Sequence, residues 1–425
     1  MILLTATFVV LLILSVPIAF VIGVSALIQL IVHRLPLTLL PLQMVDGVNS
    51  FTLLAIPLFI MAGEIMSRSG LMENILEFSN LLVGRLRGGL AHTNIVCSTI
   101  FGGISGSAVA DVSAIGPVFI PAMEKEGYGL DFSAALTASA AIQDPIIPPS
   151  ILMVMYGAAT GVSVGGLFAG GFLPGFLISA GNMVVVWVLA RRRQYPTRQT
   201  KIPFQVALRT TLHALPALIM PIVILGGIFG GVFTPTEAAA VAVLYGALLT
   251  VFVTKTLKWS DFLPIALVCS KRATIVLFII AGAQVLGYLF AIMRVPTLIS
   301  ATILSISEDP WVVIMLVNAF LLFVGCFMDA GASIILFTPI LAPILHGLGF
   351  HPLHAGIVMI LAIDIGLITP PVGVCLFAAA AITGLKLEPI IKELVPFIII
   401  SVVVLLVITF VPEIVLIVPR LFGFA

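Results

Sequence analysis

The chain has 425 residues, of which 61% are hydrophobic and 9% charged, with a net charge of +1. A water-soluble domain is about 45–50% apolar and about 25% charged, because it must coat its surface with polar groups; a soluble globular protein is therefore excluded, and the net charge of +1 argues against a nucleic-acid partner. The mean hydropathy of +1.29 is spread along the whole length, which leaves room for about ten spans of about 20 residues each rather than a single anchor.

In chain order, the apolar runs predict spans or near-spans at 2–14, 17–33, 50–67, 132–157, 165–190, 213–230, 234–254, 273–293, 355–382 and 393–418. Residues 2–33 read either as one tilted helix or as two short ones meeting at Pro17. This stretch is too long and too apolar for a cleaved signal peptide, and it lacks a basic start and a small-residue cleavage site. Two further apolar segments, near 93–123 and 312–345, are interrupted in the middle by Gly, Ser and Asp, and are expected to be re-entrant helical hairpins. The four cysteines, Cys97, Cys269, Cys326 and Cys375, are scattered inside apolar runs with no CxxC, which indicates buried thiols rather than disulfides or a metal site.

Basic residues set the orientation. With the Arg191–Arg193 loop in the cytoplasm, counting spans places Arg68, Arg85, Arg87, Lys125, Arg198, Lys201, Arg209, Lys255, Lys258, Lys271, Arg272, Lys386 and Lys392 on the same side. Only Arg34, Arg294 and Arg420 fall opposite, so 16 of the 19 Lys and Arg follow the positive-inside rule. The C-terminus is then expected in the periplasm.

An internal repeat is the most informative feature. Pro117 and Pro339, Gly127 and Gly349, Pro148 and Pro370, and Gly103 and Gly325 are each separated by 222 residues. By the charge count the first hairpin opens from the cytoplasm and the second from the other side, where His346, His351 and His354 lie without Lys or Arg. The expected fold is thus an all-α polytopic membrane protein of two inverted repeats. Residues 1–200 hold the 93–123 hairpin and a broken helix near 132–157; residues 201–425 hold the 312–345 hairpin and a broken helix near 355–382. That pattern marks a secondary transporter with its site at the repeat interface. Pro148-Pro149 and Pro370-Pro371 must break their helices, because proline lacks the N–H and disfavours helical geometry in the residue before it. Irregular backbone survives in a membrane only where it is packed in protein or lines a cavity. Freed carbonyls suit a cation, and freed N–H groups at a half-helix N-terminus suit an anion.

The first hairpin tip, Gly102 to Asp111, offers glycines for close approach, the hydroxyls of Ser105 and Ser107, and a carboxylate. The second, Gly325 to Ser333, contains Met328 and Asp329. Small residues for tight helix packing are the plainer reading of the first tip, against which stands its equally polar repeat partner. Asp111, Asp144 and Asp364 are intramembrane carboxylates, which are functional candidates by default; the alternative for each is a helix cap or a structural hydrogen bond. Gly366, through its carbonyl, and Thr369 are candidate cation ligands at the second break. Glu237, in Thr234-Pro235-Thr236-Glu237, reads as part of a capped helix start. His351 and His354 read as solvated loop residues, and the Arg191–Arg193 run as a topology determinant.

Five segments together resemble the large membrane subunit of tripartite ATP-independent periplasmic (TRAP) transporters: GGISGSAVADVSAIG from 102, IQDPIIPPS from 142, GGVFTPTEAAAVAVLYG from 230, FMDAGASIILFTPILAPI from 327 and DIGLITPPVG from 364. The resemblance implies an elevator-type architecture, Na⁺ as coupling ion, and an organic acid such as a C4-dicarboxylate or sialic acid as substrate. It also implies two partners, a soluble periplasmic binding protein and a small four-helix membrane subunit, and residence in a bacterial inner membrane. Carried over by motif, one Na⁺ site comprises Gly103, Ser105, Ser107, Asp144 and Pro148. A second comprises Gly325, Asp329, Gly366 and Thr369. Substrate falls between the tips, at Ser105, Gly106, Ser107, Met328 and Asp329. Two other readings compete. Intramembrane aspartyl proteolysis needs a GxGD context that neither Asp111 nor Asp329 has, and a channel or structural subunit does not need inverted broken hairpins. No nucleotide-binding GxxxxGK[ST] is present, so ATP is not expected to act on this chain.

Overall fold

A computed structural model of the chain describes residues 2–14, 16–195, 197, 203–295, 297–299 and 307–425. Arg198 and Lys201 of the charge count, and the repeat boundary drawn at 200/201, lie outside these residues. Among the described residues the chain is helical, without a strand. Six helices are long and apolar enough to cross a membrane, or seven if one bent pair counts as a span. The other expected spans are made of shorter pieces.

The N-terminal stretch resolves into two helices, α1 (Ile2–Ile13) and α2 (Ile18–Val32), which pack against each other. With 12 residues, α1 is about 18 Å long and falls short of the roughly 30 Å hydrocarbon thickness. The expected span 50–67 is α4 (Ala55–Ser67), preceded by a 3₁₀ turn and by α3 (Leu39–Val48); the two helices meet at 64°. Neither α3 nor α5 (Met72–Val83) is anticipated by hydropathy, because at 10 and 12 residues both are too short to read as spans.

The first hairpin is α6 (Gly89–Ser105) and α7 (Ala108–Lys125), joined by a two-residue turn, Gly106-Ser107. It is followed by α8 (Leu130–Ala141), an unwound stretch across Pro148-Pro149, and α9 (Ile151–Thr160). At 12 and 10 residues, α8 and α9 cross only as a pair. The long α10 (Val164–Arg192) closes this set. Next come α11 (Phe204–Phe229), α12 (Pro235–Leu248) with a π-helical extension, and α13 (Phe262–Ile292). The last begins at 262 rather than near 273, which puts Lys271 and Arg272 inside a helix: they dent the hydropathy but are good helix formers. The capping box expected at Glu237 is present, with the Thr234 N–H donating to Glu237 Oε2 at 2.8 Å.

The second set repeats the order of the first. It comprises α14 (Pro310–Gly325) and α15 (Ala330–Gly347) as a hairpin, α16 (Pro352–Gly366), an unwound stretch across Pro370-Pro371, α17 (Val374–Thr383) and α18 (Leu387–Phe410). The expected span 393–418 is corrected: α18 stops at Phe410, and Pro412 opens a separate short helix, α19 (Glu413–Leu421). His351 and His354 are corrected as well. His351 caps α16 by accepting from the Leu353 N–H at 3.3 Å, while His354 is fully buried with Nε2 2.9 Å from the Ile408 carbonyl.

The two sets interlock reciprocally. Helix α7 packs on α17 as α15 packs on α9, and α8 on α18 as α16 on α10. At the centre lie α8 and α16, buried from Phe132 to Ala141 and from Leu353 to Gly366. A helix apolar or small on every face is one that is covered on every face. Buried polar side chains tie this centre: Asn94 Nδ2 donates to Thr137 Oγ1 at 2.7 Å, and Gln143 Nε2 to the Ile95 carbonyl at 3.0 Å. Outside this centre, α13 packs on α2, α3 and α4, and α12 packs on α4. All four cysteines are buried and free.

Candidate transport site

Each hairpin turn rests against the unwound stretch of its own set. At the first, α6 ends at Gly106 in the left-handed region, φ 60°, where its N–H donates to the Gly102 carbonyl. A Cβ at Gly106 would lie 2.6 Å from the Pro149 carbonyl oxygen, so only glycine admits this contact. The Gly103 Cα faces the Pro148 carbonyl, 3.6 Å from where a Cβ would sit. Neither the Pro148 nor the Pro149 carbonyl accepts a backbone hydrogen bond among the described residues. Ser105 Oγ donates to Asp144 Oδ2 at 3.2 Å, and Asp144 Oδ1 is buried without a partner. Of the first predicted set, the structure therefore brings Gly103, Ser105, Asp144 and Pro148 together. Ser107 caps α7 by position only, with no side-chain cap bond. The oxygen-rich group, with two uncommitted carbonyls and an unpartnered carboxylate oxygen, fits a hard cation.

At the second, Gly325 and Gly366 are in backbone contact: a Cβ on Gly366 would lie 2.5 Å from the Gly325 Cα. The Gly373 N–H donates to the Cys326 carbonyl at 3.0 Å, clamping the break to the turn. The Thr369 hydroxyl donates to the Ile365 carbonyl at 2.7 Å, and the Thr369 N–H to the Gly366 carbonyl at 2.9 Å. Asp329 caps α15, Oδ2 accepting from the Gly331 and Ala332 N–H groups at 2.9 and 3.3 Å. No bond joins Asp329 to Gly366 or Thr369.

Both turns open on one cavity of about 530 Å³ lined by Ser105, Gly106, Ser107 and Asp329, but not by Met328. The remaining carboxylates are buried deeper. Asp111 accepts from Ser98 Oγ across the hairpin at 2.8 Å, and Asp364 has no hydrogen-bond partner at either oxygen among the described residues.

Residues 5–414 match the tripartite ATP-independent periplasmic transporter family, DctM component. The chain belongs to this family. It is 37% identical to the C4-dicarboxylate TRAP transporter large permease protein DctM of Pseudomonas aeruginosa, over 90% of each chain. It is 35% identical to the sialic acid TRAP transporter large permease protein SiaM of Vibrio cholerae, over 89% of each. In fold it is similar to the YdaH transporter of Alcanivorax borkumensis, with a TM-score of 0.61 at 14% identity over 87% of each chain. This DctM-family chain is a multi-pass membrane transporter subunit and not an enzyme, which removes the aspartyl-protease reading.

Sequence reasoning passes over two charged cavity residues, Glu64 of α4 and Arg272 of α13. A signal for the first is available: Glu64 is a carboxylate inside the apolar run 50–67, the same criterion that singles out Asp144. Nothing local marks Arg272, which the charge count treats as a topology determinant.

Proposed function

We propose that this permease carries out Na⁺-coupled uptake of an organic acid delivered by a periplasmic binding protein, together with a small membrane subunit in a bacterial inner membrane. The observation that carries the reading is the pairing of each hairpin turn with the unwound stretch of its own set, both turns facing one cavity. Cations sit at the breaks, at Gly103, Ser105, Asp144 and Pro148 and at Gly325, Gly366 and Thr369, with Asp329 nearby. The acid sits between the tips, against Ser105, Gly106, Ser107 and Asp329. At the first break the Pro148 and Pro149 carbonyls stay uncompensated until an ion fills the site, whereas the α7 N-terminus, which has no side-chain cap, favours the anion. The reciprocal contacts of the two sets support an inverted-repeat relation, and the interlocking of hairpins and broken helices around the covered α8 and α16 supports an elevator motion of that unit against α2, α3, α4, α12 and α13. Relatives named for C4-dicarboxylate and for sialic acid favour a carboxylate cargo.

The test is reconstitution of the chain with its small subunit in proteoliposomes, with an imposed Na⁺ gradient and the binding protein added or omitted. Uptake is expected only with both. Full-rate uptake without the binding protein refutes the tripartite reading, and uptake indifferent to Na⁺ refutes the coupling.

A further inference from the structure

The cavity between the tips is lined by three charged residues among those described: Asp329, Glu64 and Arg272. The Asp329 carboxylate already serves the first turn of α15. Arg272 is thus the one cationic side chain on the wall, and it sits on α13, outside the hairpins. It is held by Glu64, with Nη1 2.7 Å from Oε2. The other oxygen of the same carboxylate, Oε1, is taken by Arg68 one turn along α4, through Nε at 2.8 Å and Nη2 at 2.7 Å. Exposure is uneven across the triad: the Glu64 side chain is 11% exposed, Arg68 43% and Arg272 58%.

An anion entering an apolar-walled cavity must find a cation or lose its hydration uncompensated. Pulling one member out of an ion pair is ordinarily unfavourable, because it strands the other charge. Here it does not, since Arg68 still neutralises Glu64 when Arg272 leaves. Arginine suits the exchange: its planar fork matches the two oxygens of a carboxylate. We propose that Arg272 binds the carboxylate of the transported acid, Glu64 being the resting partner that the substrate displaces and Arg68 the group that keeps Glu64 neutral meanwhile. This rests on reading the cavity as the substrate path. It adds a substrate contact on the flanking helices, met only while the tips face α4 and α13 as they do here.

Equilibrium binding of ¹⁴C-labelled succinate, lactate, gluconate and sialic acid to the purified complex of both membrane subunits, in saturating Na⁺, tests it. For whichever acid the wild type binds, Arg272→Gln is expected to weaken binding about tenfold or more, the measure of one charge-assisted pair. Arg272→Lys, which keeps the charge without the fork, is expected to fall between. Glu64→Gln leaves Arg272 uncommitted and is expected to bind about threefold tighter, and Arg68→Gln, which leaves Glu64 to Arg272 alone, severalfold weaker. A bridge that merely ties α4 to α13 predicts the same loss for Glu64→Gln as for Arg272→Gln. Equal losses, or Glu64→Gln at wild-type affinity, or Arg272→Gln without effect, each overturn the exchange. Should Arg272→Gln not fold, Arg272→Lys and the sign of the Glu64→Gln effect decide. Wild-type binding to none of the four acids overturns the organic-acid reading itself, and the exchange with it.

Discussion

At the scale of single residues, the two hairpin turns constrain function through contacts that leave no room for a side chain. Gly366→Ala sets a methyl group 2.5 Å from the Gly325 backbone, which must separate the turn from the break. We expect this variant to lose Na⁺-dependent transport, and its Tm in detergent to fall and to respond less to added Na⁺. A folded variant with unchanged Na⁺ response would remove this contact from the cation site. Asp329 permits a cleaner separation, because asparagine caps a helix about as well as aspartate, whereas alanine costs about 1 kcal/mol of cap. Asp329→Asn should therefore keep the wild-type Tm while lowering apparent Na⁺ affinity in transport; Asp329→Ala should lower both. An Asp329→Asn protein with the wild-type Na⁺ dependence would reduce Asp329 to the cap it makes with Gly331 and Ala332. Thr369→Ala, which deletes the bond to the Ile365 carbonyl, is expected to shift the Na⁺ dependence in the same direction.

At the scale of elements, the charge count makes the C-terminal end of α10 cytoplasmic. Arg193 is tied to Glu393 at 2.8 Å, bridging α10 to the start of α18, so a probe is better placed at the exposed Arg192. With the four native cysteines buried, an Arg192→Cys protein should resist an impermeant maleimide in intact cells and react after permeabilisation. Labelling in intact cells reverses the orientation and, with it, the side on which each hairpin opens. The revised start of α13 matters here. Lys271 and Arg272 are helical, and Arg272 is placed along the wall of the cavity rather than in a loop.

For the whole molecule, energetics follow from stoichiometry. If each of the two proposed sites carries one Na⁺ per acid, a monoanion moves with one net positive charge inward in each cycle. Each such charge is worth about 2.3 kcal/mol per 100 mV, which corresponds to about fortyfold in accumulation. An imposed inside-negative potential should therefore stimulate uptake in proteoliposomes at a fixed Na⁺ gradient. Indifference to potential would mean electroneutral transport and a different charge ratio.

Composition, periodicity and proline spacing by themselves determined that this is a helical membrane carrier. Hydropathy reports how many residues cannot face water, and a Pro-Pro pair must interrupt a helix wherever it falls. The 222-residue repeat was legible for the same local reason: Gly127 and Gly349 both have φ 89°, and each Pro-Pro pair lies at a break. Gly103, Ser105, Asp144 and Pro148 flank such interruptions, but it was the family resemblance, not a local pattern, that grouped them. The short helices α3 and α5 were not legible, nor was the burial of His354, which depends on α18 packing over it. Only the tertiary structure decided that Asp329 spends one oxygen on a cap, that Asp364 is enclosed, and that Glu64 and Arg272, 208 residues apart, meet at the wall of the cavity. Pairings between distant helices depend on which faces pack together, and no local pattern in the chain encodes that.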